Sequence, residues 1–110
     1  MAELNVVVEV EQLASSTAVI YTASTSPNTK ALVTFSLATN TSSTNTTFTI
    51  TVTPSGGSAA TYIDARTIPG KKNDFVSDIL GMRLDPGDAI SAFASDASRI
   101  NLKLAILEST

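Results

Sequence analysis

Hydrophobic and polar residues alternate with a period of two along most of this chain. In Ala31-Leu32-Val33-Thr34-Phe35-Ser36-Leu37, strict alternation sets Val33, Phe35 and Leu37 on one face and Thr34 and Ser36 on the other. Thr47-Phe48-Thr49-Ile50-Thr51-Val52-Thr53 points Phe48, Ile50 and Val52 inward and its threonines outward. Ile100-Asn101-Leu102-Lys103-Leu104-Ala105-Ile106 repeats the pattern. This is the signature of a β-strand with one buried and one solvated face. Threonine, β-branched and polar, suits the solvated side of a pleated surface.

Turn signals separate these runs. Ser26-Pro27-Asn28-Thr29, the polar stretch 39–45, Pro54-Ser55-Gly56-Gly57-Ser58, Pro69-Gly70-Lys71-Lys72-Asn73-Asp74 and Asp85-Pro86-Gly87-Asp88 each interrupt the alternation. The last places Pro and Gly as a type II turn requires. Asp96-Ala97-Ser98-Arg99 reads as a short hairpin connection. Residues 74–81 fit a single helical turn or a β-bridge segment equally well. Strands recurring about every 10–15 residues predict an all-β, single-domain antiparallel β-sandwich, jelly-roll or Ig-like, with about eight strands. Residues 1–16 are expected as an N-terminal strand or arm, and 17–110 as the sandwich.

Two stretches are apolar without alternation: Val6-Val7-Val8 within 4–10, and Leu104-Ala105-Ile106-Leu107. A central strand buried on both sides explains them. A contact between subunits explains them as well, because a two-sheet sandwich buries one face of each sheet. The contact reading is favoured and names Val6, Val7, Val8, Val10, Leu104, Ile106 and Leu107 as the assembly surface.

Composition narrows the chemistry. Of 110 residues, 14 are Ser and 16 are Thr, whereas charged residues make up only 15%. The sequence has no His, Cys or Trp. Thiolate and imidazole metal sites, cysteine nucleophiles, His-dependent triads and disulfides are therefore excluded. No catalytic residue, metal or cofactor is expected. The net charge is −3 and the basic residues are scattered, so direct nucleic-acid binding is not expected. No apolar run is long enough to span a bilayer, and the first residues lack the pattern of a signal peptide. The expectation is synthesis in the cytosol, where the chain stays unless it leaves as part of a larger particle, with no membrane partner.

The remaining candidates for chemistry have simpler explanations. Asp85 and Asp88 flank a turn, which they cap; a Ca²⁺ site needs a longer series of oxygen ligands. Glu9 and Glu11 share a strand face and read as a solvated edge that discourages strand addition. Asp64 and Arg66 are spaced to pair on an outer face. The Gly-rich stretch 54–58 lacks the Lys of a phosphate loop. Asn40-Thr41-Ser42 and Asn45-Thr46-Thr47 match the glycosylation pattern by chance in so Ser/Thr-rich a chain. A saccharide platform would need Tyr21, Tyr62 or Phe93 together on an open face; they are expected to be dispersed or buried.

An ordered set of phrases carries a resemblance. These are Val19-Ile20-Tyr21-Thr22-Ala23, Ala38-Thr39-Asn40-Thr41-Ser42, Val52-Thr53-Pro54-Ser55-Gly56-Gly57-Ser58 and Tyr62-Ile63-Asp64-Ala65-Arg66-Thr67-Ile68-Pro69. Leu84-Asp85-Pro86-Gly87-Asp88-Ala89-Ile90-Ser91-Ala92 and Ile100-Asn101-Leu102-Lys103-Leu104 complete it. Residues 18–108 thereby resemble a family of small tailed-bacteriophage structural proteins. Where that family often ends in a Gly-containing phrase, Ala105-Ile106-Leu107-Glu108 keeps the Glu and loses the Gly. The resemblance implies a non-enzymatic β-sandwich of the virion, made in the host bacterial cytoplasm and partnered by copies of itself and by other neck, tail or capsid proteins. A neck, collar or tail position comes first. A capsid decoration (cement) protein is the alternative, and a carbohydrate-binding module of a tail fibre a further one.

Overall fold

The structure is a computed structural model and describes residues 4–24 and 30–109. The turn expected at 26–29 lies outside the described residues. Nine strands are present among those described: β1 (Leu4–Gln12), β2 (Ala18–Thr22), β3 (Lys30–Asn40), β4 (Thr46–Thr53), β5 (Ala60–Ile68), β6 (Asn73–Asp74), β7 (Arg83–Leu84), β8 (Ala89–Ala94) and β9 (Ile100–Ser109). They form two antiparallel sheets packed as a sandwich. One sheet has the order β1-β9-β3-β6, with β7 also pairing with β3; the other runs β2-β8-β4-β5. Segment 1–16 thus supplies β1, paired in register with β9 from Leu4↔Ser109 to Gln12↔Asn101.

The core lies between the sheets. Ile100, Leu102, Leu104 and Ile106 of β9 alternate into it, facing Phe48, Ile50 and Val52 of β4 and Ile90 of β8. Segment 73–84 closes one side with the buried side chains of Val76, Ile79 and Leu84. Short β-pairings and turns build this segment, and the described residues contain no helix. The period-two reading of β4 and β9 holds, with one adjustment. Thr49 is buried because its hydroxyl accepts a hydrogen bond from the Ala65 amide, 3.1 Å.

In β3 the alternation misleads. Val33 pairs with Ile106 and Phe35 with Ala105, so Thr34 is an extra residue in the ladder. Such a bulge reverses the faces of everything beyond it. Val33 is buried, but Phe35 turns outward, and Ser36, Ala38 and Asn40 take the interior positions. Two polar anchors make that register tenable. The Ser36 hydroxyl donates to the Val76 carbonyl, 2.6 Å. The fully buried Asn40 amide donates to the carbonyls of Thr44 and Ile68, 2.8 and 2.9 Å, and its oxygen accepts from the Ser42 amide and hydroxyl. Buried polar groups need such partners to be tolerated.

Two further expectations are corrected. Residues 96–99 do not form a hairpin, because β8 and β9 belong to different sheets. Asp64 does not pair with Arg66: the ladder is irregular between them, and Ala65 adopts a φ of 47°. Arg66 reaches Asp78 instead, through two hydrogen bonds of 2.8 Å each, with Asp74 at 3.7 Å. This fork holds segment 73–84 against β5 and keeps the Asp78 carboxyl below the usual carboxylate range.

Candidate functional site

The outer face of the five-stranded sheet is the site the fold builds. Residues paired in an antiparallel ladder share a face. The registers of β1, β9 and β3 therefore set three outward rows: Val6-Leu107-Leu32, Val8-Ala105-Phe35 and Val10-Lys103-Leu37. Eight of these nine positions are apolar. Val6, Val8 and Val10 are 67%, 53% and 63% exposed. Phe75, also exposed, stacks edge-on against Phe35 with ring centres 6.3 Å apart and widens the patch. A polar row, Gln12-Asn101-Thr39, bounds one end. At the other end a hollow of ≈ 270 Å³ is lined by Lys30, Ala31, Leu32, Arg83, Leu107 and Ser109. A contiguous apolar face rimmed by polar residues is the usual form of a protein-contact surface.

The structure divides the residues expected at the assembly surface. Val6, Val8, Val10 and Leu107 stand on this outer face. Val7 points to the other side and packs against the core. Leu104 and Ile106 are fully buried between the sheets and offer nothing to a neighbour. In their place the fold supplies Leu32, Phe35, Leu37 and Ala105. Leu32 and Ala105 were legible as the outward partners of Val33 and Leu104. Phe35 and Leu37 were hidden by the bulge.

The other candidates resolve into structural roles. Asp88 accepts hydrogen bonds from the Ser55 and Asp85 amides, both 2.9 Å, locking the 85–88 turn onto the β4–β5 hairpin. Gly87 has a φ of 86° there, and a Cβ on it would lie 2.8 Å from the Ser55 hydroxyl. Asn40, in one glycosylation-like triplet, has its amide wholly engaged in the interior. Tyr21 is buried, Phe93 half-buried and Tyr62 exposed, so the three do not meet on one open face. The Tyr21 hydroxyl donates to the Glu108 carboxylate. Burial, then the Glu108 hydrogen bond and charge, and more weakly Glu9, push this phenol above its ordinary range. Among the described residues no three His, Cys, Asp or Glu side chains converge as a metal site.

No family model matches the sequence, and no curated protein matches it either. Similarity appears in structure. A chain from Bacillus endospore appendages, described as a novel family of disulfide-linked pili, superposes with a TM-score of 0.59 at 14% identity, over 98% of this chain and 86% of that one. A chain of infectious bursal disease virus, Gx strain, gives 0.58 at 10% identity, over 98% and 32%. One from the T13 IBDV viral particle gives 0.54 at 7%, over 98% and 31%. This chain spans about a third of the two viral chains. At such identities the likeness is one of fold: a β-sandwich.

Proposed function

We propose that this protein is a non-enzymatic structural subunit that assembles with copies of itself through the outer face of the five-stranded sheet. That face is the observation carrying the reading. It is apolar at eight of nine registered positions, of which Val6, Val8, Val10 and Phe35 are exposed and the other four half-buried. Burying apolar surface stabilises by about 25 cal/mol per Å², so leaving this one in water forgoes a gain that a neighbour would collect. The similarity in fold to chains from a pilus and from viral particles supports the same reading. Lacking cysteine, this chain would hold its neighbours by packing and hydrogen bonds, without the disulfide links named for that pilus.

The resemblance of residues 18–108 to small tailed-phage proteins supports placement in a virion, with other neck, collar or tail proteins as partners. Capsid decoration is the alternative position. The two differ in symmetry, since a head lattice and a tail axis impose different copy numbers. Sugar binding on a tail fibre is weakened by the burial of Tyr21. Sedimentation over a wide concentration range tests the reading: oligomers are expected, and a monomer at the highest concentration overturns it. A map of the intact particle with this chain located in it decides the position.

A further inference from the structure

A sandwich of two open sheets has four edges, and three of them here are blunted. The β2 edge is broken by an irregularity between Val19 and Tyr21. The β5 edge carries two irregularities and the left-handed Ala65. The β3 side is capped by segment 73–84, where Val33 and Met82 and then Gly81 and Val33 exchange backbone hydrogen bonds of 2.9 and 2.8 Å. The fourth edge, β1, is nine residues long, has no bulge, and contains neither Lys nor Pro. Proteins that avoid strand addition protect an edge with such devices; on β1 only Glu9 and Glu11 act in that sense, and both lie on the side opposite Val6, Val8 and Val10.

The ladder also shows which groups β1 leaves open. Leu13 donates its amide to the Ile100 carbonyl, 2.8 Å. The odd-numbered residues are therefore the ones bonded to β9, and the amides and carbonyls of Val6, Val8, Val10 and Gln12 point to the free edge.

Building on the self-assembly reading above, we infer that β1 pairs antiparallel with β1 of a second copy about a two-fold axis through Val8. Val8 is the midpoint of Leu4–Gln12, so this register pairs the described strand along its whole length. Val8 meets Val8, and Val6 meets Val10. Glu9 faces Val7, and Glu11 faces Asn5. Moving the axis to Glu9 would set Glu9 against Glu9, a like-charge pair that destabilises a ladder. Moving it to Val7 would pair four free-edge residues within Leu4–Gln12 in place of five. The centred register forms about ten backbone hydrogen bonds, the number found in a typical specific interface. It also joins the apolar faces of the two copies into one, with isologous symmetry.

The test uses the absence of native cysteine. Val6→Cys, Val8→Cys and Val10→Cys are made singly at these exposed positions and treated with a short bis-maleimide, beside sedimentation of the wild type. Val8→Cys should cross-link with itself, and a mixture of Val6→Cys with Val10→Cys should yield the mixed dimer. Val6→Cys or Val10→Cys alone should react at least ten-fold less. Val8→Lys should shift the protein to monomer with its circular dichroism unchanged. Uniform yields, or no Val8→Cys product from a wild type that sediments as an oligomer, overturn the strand pairing and leave the assembly reading standing. A wild type that is monomeric throughout overturns both.

Discussion

Tyr21 of β2 donates its hydroxyl hydrogen to the Glu108 carboxylate of β9, a side-chain bridge between the two sheets. Tyr21 is in the interior and Glu108 half-buried, so the phenol is held in its neutral, donating form.

Removing that bridge should loosen the sandwich. Tyr21→Phe keeps the ring and is expected to lower stability by roughly 1.5–3 kcal/mol, the range for a hydrogen bond to a charged acceptor. It should also change the alkaline limb of the stability curve. A phenol whose folded pKa lies above its unfolded value contributes stability that is complete below about pH 10 and lost as pH rises further. Denaturant titrations of the wild type should therefore weaken above pH 10, and Tyr21→Phe should flatten that limb. An identical slope in the variant would remove Tyr21 as its source.

Asn40 should be among the least replaceable residues. Asn40 is fully buried; its amide serves two carbonyls and its oxygen accepts from Ser42. Asn40→Ala removes the donor to the Ile68 and Thr44 carbonyls and the acceptor of the Ser42 amide and hydroxyl, and a loss of roughly 3 kcal/mol is expected. Urea midpoints with an unchanged m-value would register it. A loss below about 0.5 kcal/mol would mean that water replaces the amide.

The Phe35–Phe75 pair separates stability from association. Phe75 is 68% exposed, so Phe75→Ser should cost about 1 kcal/mol or less in folding. If the outer face is the contact, the same change should lower the sedimenting mass at a given concentration. Unchanged assembly would place the contact elsewhere on the molecule.

At Gly87 two constraints coincide, a left-handed backbone and the Ser55 side chain beside it. Gly87→Ala is expected to destabilise by about 1–3 kcal/mol. Combining it with Ser55→Gly should recover only the steric part. Thermal melts of the two variants distinguish backbone strain from contact.

Much of this architecture is written in a period of two. β4, Thr49 apart, and the first half of β9 could be read from the alternation, because each runs through the sheet with its inner face unbroken. The outer apolar face was half legible. Val6, Val8 and Val10 stand out in β1 because valine occupies alternate positions on what proves to be the solvent side. In 104–107 alternation was masked by residues apolar on both faces, so Leu104 and Ile106 were indistinguishable from Leu107 until the second sheet was seen to cover them. Phe35 and Leu37 were beyond reach: nothing in Thr34 announces that it is the extra residue. The Arg66–Asp78 fork was equally silent, since it depends on where the chain returns 12 residues later.

The bulge at Thr34 has one more consequence. Slipping the β3 ladder by a single residue would carry Phe35 and Leu37 indoors, which hydrophobicity alone prefers. What forbids the slip is the cost of dragging the Ser36 hydroxyl and the Asn40 amide away from the acceptors that only the present alignment offers. The stickiness of the outside is thus dictated from the inside, by two small polar groups that no neighbour ever touches.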